Sequence, residues 1–127
     1  MRGDFGSFVK IVQNNLQVML FAFVFSLVFG AGAVFIITWN ASILGVAIAR
    51  VAGHPLNIPV TALRYVPHGV PEIAAYLLAG LAGGILSAAV IREHDSRVLK
   101  VIAMDSAKIM LLALALVIVA GAIEVYL

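Results

Sequence analysis

The sequence predicts an all-α fold, a polytopic bundle of transmembrane helices, and three observations carry that reading. Hydrophobic residues make up 64% of the 127-residue chain and charged residues only 11%, too little polar material to coat a water-soluble globule. Several long apolar stretches match the roughly 20 residues that a helix needs to cross a hydrocarbon core about 30 Å thick. The small residues recur at helical spacing instead of gathering in loops, as helices packed in lipid require. Residues 1–127 therefore read as a single transmembrane domain embedded in the lipid bilayer of a cell membrane.

Three full spans are expected, over residues 16–37, 71–91 and 104–126. No charge interrupts Leu16 to Ile37. Arg2 and Lys10 before this run, and Ala31, Gly32 and Ala33 near its end, imitate a signal peptide, but the run is longer than a usual signal core and is read as a retained helix. The second span holds the apolar stretch Ile73 to Ile91. In the third, Asp105 and Glu124 bracket the apolar residues Ile109 to Ile123 at a separation of about 28 Å of helix, which places the two carboxylates at opposite membrane faces. Lys108 snorkels outward from the same turn as Asp105.

The stretch between the first two spans reads differently. Its apolar piece, Ala41 to Ala49, ends at Arg50, and a helix of about 12 residues reaches only about 18 Å. All four prolines, Pro55, Pro59, Pro67 and Pro71, come within a short distance after it. Residues 41–66 are therefore expected to form a re-entrant or half-helix segment lying against the bundle, where protein satisfies its irregular backbone. On that arrangement Arg2, Lys10, Arg92, Arg97 and Lys100 share one side and Arg50 and Arg64 the other, which puts the N-terminus in the cytoplasm. A full crossing by this segment leaves the cations without a clear bias.

Packing is expected to centre on the second span. Gly80, Gly84 and Ala88 repeat every four residues, and Ala75, Ala79, Gly83 and Ser87 form an adjacent small row along which backbones can approach closely. The row serves contacts within the chain or between protomers, so a homo-oligomer is one expectation. Asn14 and Asn15 are placed as caps of the first span and Asp105 as the cap of the last, since such side chains accept from free first-turn N–H groups. Arg92, Glu93, His94, Asp95, Arg97 and Lys100 read as a short solvated loop.

Four polar residues emerge at the same membrane face in this topology: Asn40, His68, Glu72 and Glu124. The plainer reading gives Glu72 to the positive end of its own helix, just after a first-turn Pro71, and leaves His68 to bond a neighbour. The functional reading is an intramembrane polar cluster that binds a cation, relays protons or holds a polar partner. His68, Glu72 and Glu124 are residue types that zinc accepts, but no tight ligand motif fixes them, and neither a metal nor a cofactor is expected.

Other classes are set aside on composition. The net charge of +2 is spread along the chain without a basic run, so nucleic acid is not expected as a partner. Without cysteine there is no disulfide or thiolate chemistry. No nucleophile elbow, HExxH or phosphate-binding glycine loop is present, and no enzymatic activity is expected.

The order of the polar and small residues resembles a known family. Asn14 and Asn15 precede a first span, Asn40 opens the next element with Gly45 soon after, His68 and Gly69 come with Glu72, Ala75, Gly80 and Gly83, and Ala120 comes with Glu124. This ordered set, covering nearly the whole chain, resembles the stage II sporulation protein M family of multi-pass membrane proteins. The resemblance implies a membrane scaffold, or a transport-like component, with envelope or membrane-complex proteins as partners. Sporulation members join an engulfment complex with peptidoglycan-remodelling enzymes, while many relatives have no settled role; sporulation itself is not implied. Family members are usually longer at both ends, so the chain is expected to be a minimal member or a trimmed one. The function expected is that of a non-enzymatic scaffold, with a small oligomeric channel or transporter for an ion, proton or small solute as the alternative.

Overall fold

The computed structural model describes residues 3–127 and is helical throughout, with no strand among the described residues. Arg2, one of the cations assigned to the N-terminal side, lies outside them. The helices are α1 (Phe5–Phe29), α2 (Gly32–Ala52), α3 (Ile58–Leu63), α4 (Val66–Ile91) and α5 (Ser96–Tyr126), with a 3-10 turn at Pro55–Asn57 before α3. All but α3 are long and apolar enough to cross a membrane.

Two boundaries differ from the sequence expectation for one reason. The uncharged run expected as a single span over 16–37 is broken at Gly30 and Ala31, where Gly30 adopts φ 70 and reverses the chain. A side chain at Gly32 would meet the Phe25 carbonyl carbon at 2.7 Å, so glycine there lets the start of α2 close onto α1. Hydropathy passes smoothly over this hairpin because every residue around it is apolar. The residues expected as a half-helix, from Ala41, are accordingly the second part of a continuous 21-residue α2, about 31 Å long. The prolines do punctuate the chain after α2: Pro55 opens the 3-10 turn, Pro59 and Pro67 sit in the first turns of α3 and α4, and Pro71 lies inside α4.

The capping assignments also change. Asp4 caps α1, its carboxylate accepting from Ser7 N–H at 2.6 Å, and that hydrogen bond holds the Asp4 carboxyl below its usual range. Asn14 and Asn15 are thus well inside α1 and cap nothing. Asp95 caps α5, accepting from Val98 N–H at 2.9 Å, whereas Asp105 is an exposed residue within that helix. The expected charged loop shrinks to Arg92–Asp95, with Arg97 and Lys100 already helical.

Helix α4 is the axis, packing on α5, α1 and α2. Ala75 and Ala79 are fully buried, Gly80, Gly83 and Ser87 are buried, and Gly84 is half-buried. Ala88, expected in the same row, faces outward. A methyl group at Gly80 would lie 2.5 Å from Cβ of Ala33, and one at Gly83 would press on the Phe23 carbonyl and come within 3.0 Å of Leu27 N. The small row is therefore used within the chain. The Ser26 hydroxyl lies 2.7 Å from the Gly80 carbonyl and the Ser106 hydroxyl donates to the Ala82 carbonyl at 3.1 Å, which adds polar ties between α1, α4 and α5. Outside this seam the large apolar side chains, such as Phe29, Phe35, Trp39 and Leu111, are exposed, as a lipid-facing surface requires.

Candidate functional site

The α1–α2 hairpin is closed at Gly30 and opens away from it. Near the turn Ala33 is buried against Gly80, but between there and Ala52 no residue of α2 is buried. The gap between α2 and the other long helices is a cavity of about 640 Å³. Asn40 of α2, His68 and Glu72 of α4, and Glu124 of α5 all line it. Ile37, Leu44, Ile48 and Ile73 supply much of its apolar wall.

Each polar group is held by its own element. Helix α4 begins at Val66, so Glu72 lies beyond the free N–H groups of the first turn, and the helix-end role considered for it does not apply. Its partner is Tyr76, one turn on, whose hydroxyl donates to Oε1 at 2.7 Å. Asn40 donates its amide to the Ile36 carbonyl at 2.9 Å, leaving its oxygen as an acceptor. The His68 ring is half-buried beside Tyr65, with centroids 5.7 Å apart. Glu124 is half-buried near the end of α5. Among the described residues no three His, Cys, Asp or Glu side chains gather as a metal site, so His68, Glu72 and Glu124 share the cavity without forming a ligand set.

Sequence reading missed part of the wall. Lys10, Asn14 and Asn15 of α1 also line the cavity. Asn15 is only 4% exposed, and its Nδ2 has no hydrogen-bond partner. Such a group costs about 1–3 kcal/mol in a folded core. The signals were present as four-residue spacings, Lys10 to Asn14 and Glu72 to Tyr76, each of which puts two polar side chains on one helix face. Gly45 and Gly69 line the cavity too, and a Cβ at either would meet nothing within 4 Å. Glycine inside a helix costs about 0.5–1 kcal/mol relative to alanine, and no protein contact explains it at these positions.

The cavity is blind. Counted along the helices from the Gly30 hairpin, Lys10 is about 30 Å away, Asn15 about 22 Å, and Asn40 about 15 Å, so the polar wall runs from the end of the bundle remote from the hairpin to about half-way along it. Beyond Tyr76 the seam of Ala79, Gly80 and Gly83 closes against α1 and α2. Laterally, a groove of about 450 Å³ between α1 and α2, lined by Val18, Phe21, Phe35 and Trp39, shares Asn14, Asn40 and Ile43 with the cavity.

The family model described as stage II sporulation protein M matches residues 2–127. An uncharacterized protein of Methanocaldococcus jannaschii is 29% identical over 126 residues, covering 94% of this chain and 70% of the relative. No solved structure matches the chain.

Proposed function

The chain belongs to the stage II sporulation protein M family, and we propose that it acts as a non-enzymatic membrane component whose working part is the blind cavity, a site that holds a ligand or partner group within the bilayer. The observation that carries this reading is the closure of the bundle beyond Tyr76, which leaves the polar wall of Asn15, Asn40, Glu72 and Glu124 without a continuation to the other face. A scaffold or receptor needs such a pocket; a channel needs a path. A cavity open at one side and sealed at the other is also the shape of one state of an alternating-access carrier, which supports transport as the second reading. Reconstitution separates them. Proteoliposomes of the wild type are expected to leak protons and potassium no faster than empty vesicles. A flux that disappears in Glu72→Gln would overturn the binding reading in favour of a carrier.

We further infer four crossings in place of three spans with a re-entrant segment, because α2, at 21 residues, is long enough by itself. Both termini and the loop before α4 then share the face onto which the cavity opens, with Arg92–Asp95 opposite. The cations divide evenly, Arg2, Lys10, Arg50 and Arg64 against Arg92, Arg97, Lys100 and Lys108, so charge no longer assigns the N-terminus to the cytoplasm. The chain has no cysteine, which makes single-cysteine labelling clean. Phe5→Cys and Leu56→Cys are expected to react with an impermeant maleimide from the same side and His94→Cys from the other. Labelling of positions 5 and 94 from one side, with 56 opposite, would restore the re-entrant arrangement.

A further inference from the structure

Resting on the reading of the cavity as a binding site, we propose that it takes the headgroup of an amine-bearing phospholipid, a phosphate followed by a primary ammonium, entering sideways from the bilayer through the α1–α2 groove. The two sides of the cavity carry opposite chemistry. Helix α1 presents donors, the Lys10 ammonium and the Asn14 amide, while α4 and α5 present acceptors, the Glu72 and Glu124 carboxylates. A zwitterion with its acceptor oxygens at one end and its N–H donors at the other satisfies both walls, where a simple cation or anion satisfies one.

The order of groups along the entry route agrees with a lipid. The groove is apolar and aromatic at Val18, Phe21, Phe35 and Trp39, it meets the cavity at Asn14, Asn40 and Ile43, and the carboxylates lie beyond on α4 and α5. Tail, phosphate and ammonium succeed one another in the same sequence. The acceptors also select the kind of amine. Tyr76 occupies one oxygen of Glu72 and leaves the other free, and Asn40 keeps an unused carbonyl oxygen, so a primary ammonium finds acceptors for its three N–H groups. A trimethylammonium has no N–H to give to these acceptors. Gly45 and Gly69 leave the volume the headgroup occupies.

The test is a titration of the detergent-purified full chain with dioleoyl phosphatidylethanolamine, phosphatidylcholine and phosphatidylglycerol in mixed micelles, and with free phosphoethanolamine, read by native mass spectrometry. Phosphatidylethanolamine is expected to bind at least about tenfold more tightly than the other three. Glu72→Gln and Gly45→Leu are each expected to lower it to the phosphatidylcholine level. Gly45→Leu keeps every charge and its Cβ meets open space, so it serves as the folded, non-binding variant if Glu72→Gln fails to fold. Equal retention of the three lipids by the wild type, or undiminished phosphatidylethanolamine binding by Gly45→Leu, overturns the proposal. Binding of free phosphoethanolamine as tight as the lipid overturns the lipid source and assigns the site to a soluble amine. These outcomes are independent of the vesicle experiment: equal lipid retention without flux defeats this inference alone, whereas flux lost in Glu72→Gln defeats the binding reading on which it rests.

Discussion

Gly83→Leu is expected to destroy the folded bundle, with loss of a monodisperse species in detergent. At this position an added side chain meets backbone, the Phe23 carbonyl and Leu27 N, and not the movable end of a neighbouring side chain. Helices α1 and α4 would have to separate around Gly83, because the contact there is with the backbone of α1. Overpacking an ordinary core costs about 1–3 kcal/mol, and a leucine driven into a helix backbone belongs at or above that range. The internal comparison is Gly45→Leu, a same-sized insertion expected to leave stability within about 1 kcal/mol of the wild type, since it points into the cavity. Thermal unfolding monitored by size-exclusion chromatography distinguishes the two. A Gly83→Leu protein that elutes and melts like the wild type would show that the seam is not in backbone contact.

The second large effect is a separation of stability from binding at Asn15. Asn15→Leu replaces a buried amide that lacks a partner for its N–H group with an apolar side chain of similar size. Removing such a group relieves about 1–3 kcal/mol of desolvation, so the variant is expected to melt above the wild type in lipid-free detergent. The Asn15 N–H group is closed off from the cavity, and Lys10, Asn14, Glu72 and Glu124 stay in place, so phosphatidylethanolamine binding is expected to be unchanged. A melting point lowered by the substitution contradicts this account, because it means that the Asn15 amide is already satisfied within the fold.

These two positions show how much was legible in the chain and where reading stopped. Gly83 was placed on the packing face of its helix from spacing alone, because small residues in register report a property of one helix, its closest-approach line. Asn15 was placed at a helix end. That error arises from the local signal: Asn14 and Asn15 lie just ahead of an uncharged run, and an amide before an apolar helix has the appearance of a cap. The helix begins ten residues earlier, at Phe5, because Asp4 caps it and because Lys10, Gln13, Asn14 and Gln17, which depress the hydropathy there, are part of a helix with a polar-lined cavity on one side. Asn40, His68, Glu72 and Glu124 were grouped through the expected topology, and they line one cavity although α2 runs on as a full-length helix. The three-span topology had them emerge at the end opposite the N-terminus, whereas Asn40 sits in the middle of α2 and the cavity takes in Lys10, near the start of α1. Lys10 and Tyr76 carried only the four-residue spacing, which on any helix is common.

The order of residues alone establishes the solvent and the class: a helical chain for hydrocarbon, with α4 as its axis, belonging to a recognisable membrane family. Hydropathy and spacing are sums over one segment, and for those properties one segment is enough. The hairpin at Gly30, the length of α2 and the cavity beside it emerge only from the assembled helices. Each of these depends on where two helices touch and where they diverge. A glycine that closes the α1–α2 contact at one end and the absence of any buried α2 side chain between Ala33 and Ala52 create the space, and neither is visible until the helices are placed together.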